Sequence, residues 1–156
     1  TILVITAYLL GYEFDLIGPI HGGVAVVGAL WAAATVLSVY KDNRAATRES
    51  FFSTMGSTFL GVAVALVYLF WFPPHMWDLA LIIVLAMLIS QALGLADRGR
   101  QVVSALLIIV IFSHLNAANP WINAAMRTIE VFIGAGVGLL GGYFGENLPG
   151  LDAKKP

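Results

Sequence analysis

The stretch FFSTMGSTFLGVAVALVYLFWF, Phe51 to Phe72, runs for 22 residues without a charge. Few folds accept such a run, and in helical form about 20 apolar residues match the hydrocarbon core of a bilayer. Comparable apolar blocks recur along the chain, divided by short polar knots. Hydrophobic residues make up 60% of the sequence and charged ones 11%, against about 25% charged in soluble domains. That leaves too little polar surface to cover a soluble core. The sequence therefore reads as an all-α polytopic membrane protein, a single transmembrane domain over residues 1–156, with the lipid bilayer as its first partner.

Six transmembrane helices are expected, at about residues 1–12, 22–40, 51–72, 77–95, 101–115 and 121–144. The breaks have physical causes. "EFDLIGP" ends the first span, and Pro73-Pro74 cannot continue a helix. "ADRGR" joins charge to Gly99, and "NAANP" joins small polar residues to Pro120. "TILVITAYLLGY" is shorter than a span and no cleavage pattern follows it, so it reads as an ordinary first helix lacking its head. The segment Arg44 to Ser53, charged and then apolar, is expected to lie along the inner membrane surface.

The basic residues fix the orientation. With six spans, Lys41, Arg44, Arg48, Arg98, Arg100, Lys154 and Lys155 all fall on one side. The opposite loops hold Glu13, Asp15, His75 and Asp78, with no Lys or Arg. Basic residues in short loops stay cytoplasmic, which places both termini in the cytoplasm of a cell (inner) membrane protein. Tyr40, Trp71, Trp77, Trp121 and Tyr143 fall near the expected interfaces.

The remaining arginine is Arg127, inside helix six, with Glu130 three residues on along the same face. Ionisable residues within a span are costly and mark functional sites by default, the alternative being a structural ion pair. Behind them Gly134, Gly138 and Gly142 are spaced by four, as are Gly141 and Gly145. Small residues at this spacing let helix backbones approach, so these five form a helix-packing or partner face. Gly18, Gly22, Gly23 and Gly28 make a second small-residue cluster.

Other chemistry is sparse. The chain has no cysteine, and its net charge of −1 offers no basic face for nucleic acid. No catalytic constellation appears, so no enzyme, cofactor or metal site is expected. His21, His75 and His114 fall near the outer face as scattered interfacial residues. Asn116, Asn119 and Asn123 read as loop caps, and Ser90 and Gln91 as helix–helix hydrogen-bonding groups or the lining of an access path.

Helix three echoes helix six. With Thr54 placed on Arg127, Phe59 falls on Phe132, Gly61 on Gly134, Val64 on Val137 and Leu66 on Leu139. These helices lie three spans apart and run in opposite directions, so the expected architecture is an inverted repeat of three plus three helices.

"LWAAATVLSVYKDNRAATRESFFSTMGSTFLGVAVAL" resembles the second and third helices of the fusaric acid resistance (FUSC) and aromatic acid exporter group. In that group an apolar helix, a short basic turn and an amphipathic lead-in precede a motif like R-x-x-G-T-x-x-G. Ser57, Thr58 and Gly61 fit its last part, while its Arg is Thr54 here and its first Gly is Ser57. "RTIEVFIGAGVG" is similar to the sixth helix of the same fold, and plant aluminium-activated malate transporters are distantly similar, including an Arg early in that helix. The resemblance covers about residues 22–72 and 127–144. Many relatives carry a cytoplasmic domain after helix six, where this chain ends at Pro156. That fits either a minimal version or a subunit.

The resemblance implies an exporter of organic or aromatic acid anions. Such a site needs a cation, hydrogen-bond donors and an apolar wall. Arg127 is the expected cation, Glu130 its holder or a carrier of the coupling proton, Ser57 and Thr58 the donors, and Trp31 the aromatic wall. Six short helices make a thin wall alone, so a homo-oligomer is expected. The alternative is an accessory transmembrane subunit of a larger membrane complex, docked through its glycine face.

Overall fold

A computed structural model of the chain describes residues 1–18, 24–72, 75–115 and 119–145. All regular structure among them is helical: α1 (Ile2–Ile17), α2 (Val24–Val39), α3 (Arg44–Trp71), α4 (Met76–Ala92), a 3₁₀ turn (Ala96–Arg98), α5 (Gly99–Leu115) and α6 (Pro120–Gly145). α3 and α6 are long and apolar enough to cross a membrane, and α2 and α4 are shorter apolar helices. At 1.5 Å per residue the 28-residue α3 extends about 42 Å, more than a hydrocarbon core needs.

The surface confirms the class. Leu30, Leu37, Phe52, Phe59, Phe70, Leu81, Phe132 and Leu140 all face outward. Buried inside are Asp15, Thr47, Ser50, Thr54, Ser57, Thr58, Ser90, Asn123, Arg127 and Glu130. A soluble domain would hide the first set and expose most of the second. In lipid the order reverses, because apolar side chains cost nothing outside and polar ones need protein partners.

Two boundaries differ from expectation. α1 does not stop at Tyr12 but continues through Glu13 and Asp15 to Ile17. Nothing between Tyr12 and Gly18 breaks a helix, and Asp15 turns inward on the face already carrying Ala7 and Gly11, so it is a buried helical residue and not a loop residue. The segment Arg44 to Ser53 is no separate surface helix either. It is the first part of α3, started by the Asn43 side chain, which accepts a hydrogen bond from the Ala46 N–H at 2.8 Å. Asn43→Ala is expected to lower stability in detergent by about 1 kcal/mol, read as a lower thermal unfolding midpoint.

α4 ends in a Schellman turn. Gly94 takes φ +73°, its N–H bonds to Gln91 O, and the Leu95 N–H bonds back to Ser90 O. This turn and the short 3₁₀ segment bring the α4–α5 link beside the α2–α3 link, since Lys41, Ser50, Leu95 and Arg98 line one depression. Arg44, at the start of α3, lies 4.3 Å over the Tyr143 ring near the end of α6. α3 and α6 therefore run antiparallel, with the basic links gathered at one end. At the other end Tyr68 Oη donates to His75 O, and the Phe70 and Trp121 rings lie 5.7 Å apart.

α3 and α6 cross at the centre. α2 packs on α6 and α5 on α3; α1 packs on α2 and α6, and α4 on α5 and α3. The minor contacts match too, α2 with α3 and α5 with α6. Exchanging α1–α3 for α4–α6 leaves the whole pattern of helix contacts unchanged, as an inverted repeat requires. Single residues follow it. A Cβ on Gly134 would run into the Ala32 carbonyl of α2, and a Cβ on Gly61 into the Val102 carbonyl of α5. These two glycines are the positions that superpose when Thr54 is placed on Arg127.

Candidate functional site

Arg127 and Glu130 lie on the buried face of α6, 2% and 0% exposed. Arg127 Nη1 is 2.5 Å from Glu130 Oε2, and the guanidinium carbon lies 5.4 Å from the Phe112 ring centre on α5. A third ionisable group joins them. Asp15, at the far end of α1 and 1% exposed, lies within hydrogen-bonding reach of Glu130. Gly28 of α2 makes the meeting possible: a Cβ there would collide with Asp15 Oδ2 and Glu130 Oε1. Phe112, Arg127, Glu130 and Asp15 thus form a line from α5 through α6 to α1, roofed by α2. Among the described residues no N–H or O–H donor reaches either oxygen of Asp15.

Ser57 and Thr58 are both buried on α3. The Ser57 hydroxyl is engaged by its own helix, donating to Ser53 O at 2.9 Å and reaching Thr54 O at 3.0 Å. Among the described residues no hydrogen-bond partner reaches the buried Thr58 Oγ1.

Trp31 sits elsewhere. It is half-buried one turn along α2 from Gly28, on the same helix face, and lines an open cleft of about 390 Å³ at the basic end. Thr35 and Ser38 of α2, Asp97, Arg98 and Arg100 of the α4–α5 link, and Gln101 and Ser104 of α5 complete it. The cleft opens between α2 and α5, two helices that do not touch. Arg98 is fixed there: Nη2 donates to Ser50 Oγ at 2.7 Å and Nη1 lies 3.4 Å from Thr54 Oγ1, while Ser50 donates to Ser38 O. Arg100 is exposed.

The five expected site residues are therefore not brought together. Arg127 and Glu130 form the charged cluster, Ser57 and Thr58 are buried on α3, and Trp31 belongs to the cleft. Sequence reasoning missed Asp15, Gly28, Arg98, Arg100, Gln101 and Ser104. A signal for Asp15 existed: Ala7, Gly11 and Asp15, spaced by four, mark one helix face. The cleft residues come from α2 and from a link some 60 residues later, and no local spacing announces that.

The five α6 glycines expected to form a packing or partner face lie against other parts of this chain. Gly134 and Gly138 lie against α2, Gly141 against Leu3 of α1, Gly142 against Thr47 of α3, and Gly145 near Tyr40 Oη. His21 and Asn116 lie outside the described residues, as do Gly22, Gly23, Lys154 and Lys155. His75 is exposed, and His114 Nδ1 lies 2.8 Å from Val110 O. Asn119 caps α6 by accepting from the Trp121 N–H, while Asn123 is buried and donates to Ile109 O and Ser113 Oγ at 3.2 Å each. Ser90 bonds to its own helix at Met87 O, and Gln91 is exposed.

No curated protein and no solved structure matches the chain. A family model described as Fusaric acid resistance protein-like matches residues 3–141, which takes in α1 to α5 and most of α6. That span includes the charged cluster, the cleft and both central helices. The chain belongs to the fusaric acid resistance protein-like family, and with it to the exporter-like membrane transporters.

Proposed function

We propose that this protein exports organic acid anions, aromatic acids among them, across the cell (inner) membrane, with both termini in the cytoplasm and with copies of itself as partners. The cleft carries the reading. Its volume suits a small aromatic acid. Trp31 offers a ring face, Arg100 a cation free to turn toward a carboxylate, and Gln101 and Ser104 hydrogen-bonding groups. Lys41 and Arg44 stand at the same end, so basic residues in short links favour the cytoplasm for this mouth, which is where an exporter loads.

The test is flux of radiolabelled benzoate in proteoliposomes. Trp31→Ala and Arg100→Gln are each expected to weaken apparent affinity about tenfold, the loss of one good contact. Benzoate flux no faster than in empty vesicles, or unchanged affinity in both variants at wild-type protein level, defeats the proposal. Native mass spectrometry of gently solubilised protein reads the assembly. Copies of this chain alone are expected; fixed stoichiometry with other chains would favour the accessory-subunit reading.

A further inference from the structure

We infer that Asp15 and Glu130 together form a proton-binding site, balanced by Arg127. The charge count is the starting point. Two ionised carboxylates and one guanidinium leave a net −1 in a place where all three groups are at most 2% exposed. A buried unbalanced charge is costly inside a membrane protein. One proton brings the cluster to neutrality. It forms an O–H bond on one carboxyl and is donated as a hydrogen bond to the other, as in carboxyl pairs that share a proton.

The geometry asks for that proton. Asp15 is buried with no protein donor to either oxygen among the described residues, and the group within its reach is the Glu130 carboxyl. A carboxylate facing a carboxylate is repulsive, whereas a carboxylic acid facing a carboxylate supplies the missing donor. No other charged side chain among the described residues acts on either group. α2 contributes Gly28, α5 contributes Phe112 over the arginine, and the charges of α3, Arg44, Arg48 and Glu49, stand in its first turns near the basic end.

The repeat shows that the fold does not need buried carboxyls here. In the other half, Ser57 of α3 takes the place of Glu130 in the Thr54-on-Arg127 register, and Ser90 of α4 packs on Gly99 of α5. A Cβ on Gly99 would meet Ser90 Oγ, as one on Gly28 would meet Asp15. Both hydroxyls bond to their own helices, and the nearby cation, Arg98 next to Gly99, donates to Ser50 Oγ and lies 3.4 Å from Thr54 Oγ1. The same helix crossing is thus built twice, and among the described residues only one of the two holds buried carboxyls. Packing alone does not account for the charged version. Trp31 lies one turn along α2 from Gly28, so the cleft and the proton site share a wall. That this is the proton exchanged during transport rests on the exporter reading above; its binding does not.

Infrared difference spectroscopy on the purified protein tests the site without any substrate. The C=O stretch of a protonated carboxyl is absent from a carboxylate, so wild-type protein at neutral pH is expected to show it and to lose it on alkaline titration. Asp15→Asn and Glu130→Gln each leave one carboxylate against one guanidinium, already neutral, and each is expected to abolish the band. Arg127→Gln removes the cation and is expected to strengthen it. Sodium titration at fixed pH is expected to leave the band unchanged. A band that persists in both carboxyl variants, or one that sodium displaces, overturns the inference. Absence of benzoate flux would defeat the exporter reading and leave this result standing.

Discussion

Arg127→Ala is expected to destabilise the protein by about 3–5 kcal/mol, the cost of removing one partner from a buried ion pair. Two buried carboxyls, Asp15 and Glu130, would remain with no cation, and the cavity left against Phe112 adds to the loss. The contribution of charge can be separated from that of volume. Arg127→Ala combined with Glu130→Gln leaves one carboxyl in place of two, so the double variant should unfold later than the single one. Thermal unfolding in detergent gives both midpoints. A double variant no more stable than Arg127→Ala would mean that the arginine matters for its packing alone, and the electrostatic account of the cluster would fall.

Gly134→Ala should be nearly as severe, although it adds one methyl group. Its Cβ would strike the main-chain carbonyl of Ala32 and come within 2.9 Å of Thr35 Cβ. No rotamer change relieves a clash with backbone, so α2 and α6 must separate. Overpacking of this kind costs about 1–3 kcal/mol and occasionally more. Here the separation also pulls Gly28 on α2 away from Glu130 on α6, opening the charged cluster. Gly61→Ala makes the same demand on α3 and α5 and should cost a similar amount without touching any charge. Gly136→Ala and Gly56→Ala are the controls. A Cβ at either meets nothing within 4 Å, so each should be neutral or stabilising by up to about 1 kcal/mol, as alanine favours the helix. Equal midpoints for Gly134→Ala and Gly136→Ala would show that the glycine face is not packed as described.

Features that depend on near neighbours in the sequence were legible. Apolar blocks broken by Pro73-Pro74 or by the charged knot at Gly99 gave the helices, because a breaker acts where it stands. Arg127 and Glu130 were legible as a pair because three residues on a helix is one turn. Gly61 and Gly134 emerged together because both meet a partner's backbone, a constraint that only glycine satisfies. Asp15 was misplaced because charge was read as a break. A helix end depends on capping and on breakers, and a charged residue that finds a buried partner does neither. The sequence could not supply that partner, which lies on the last helix while Asp15 lies on the first. The cleft was hidden for a related reason. Trp31 was recognised as a candidate wall, but its neighbours Arg98, Arg100 and Gln101 meet it only through the pairing of distant links.

The interchangeability of the two halves carries a consequence for motion. If α1–α3 can hold the shape that α4–α6 now hold, and the reverse, the chain has a second arrangement of nearly equal internal contacts, reached without unfolding. In that arrangement the gap between α2 and α5 closes at the basic end and opens at the other, where Phe112 and Arg127 now meet. Alternating access then needs no separate gate. The serine corner and the carboxyl corner would trade places as the tight and the loose junction. Because only one of them carries buried carboxyls, protons would weigh on one direction of the exchange more than on the other.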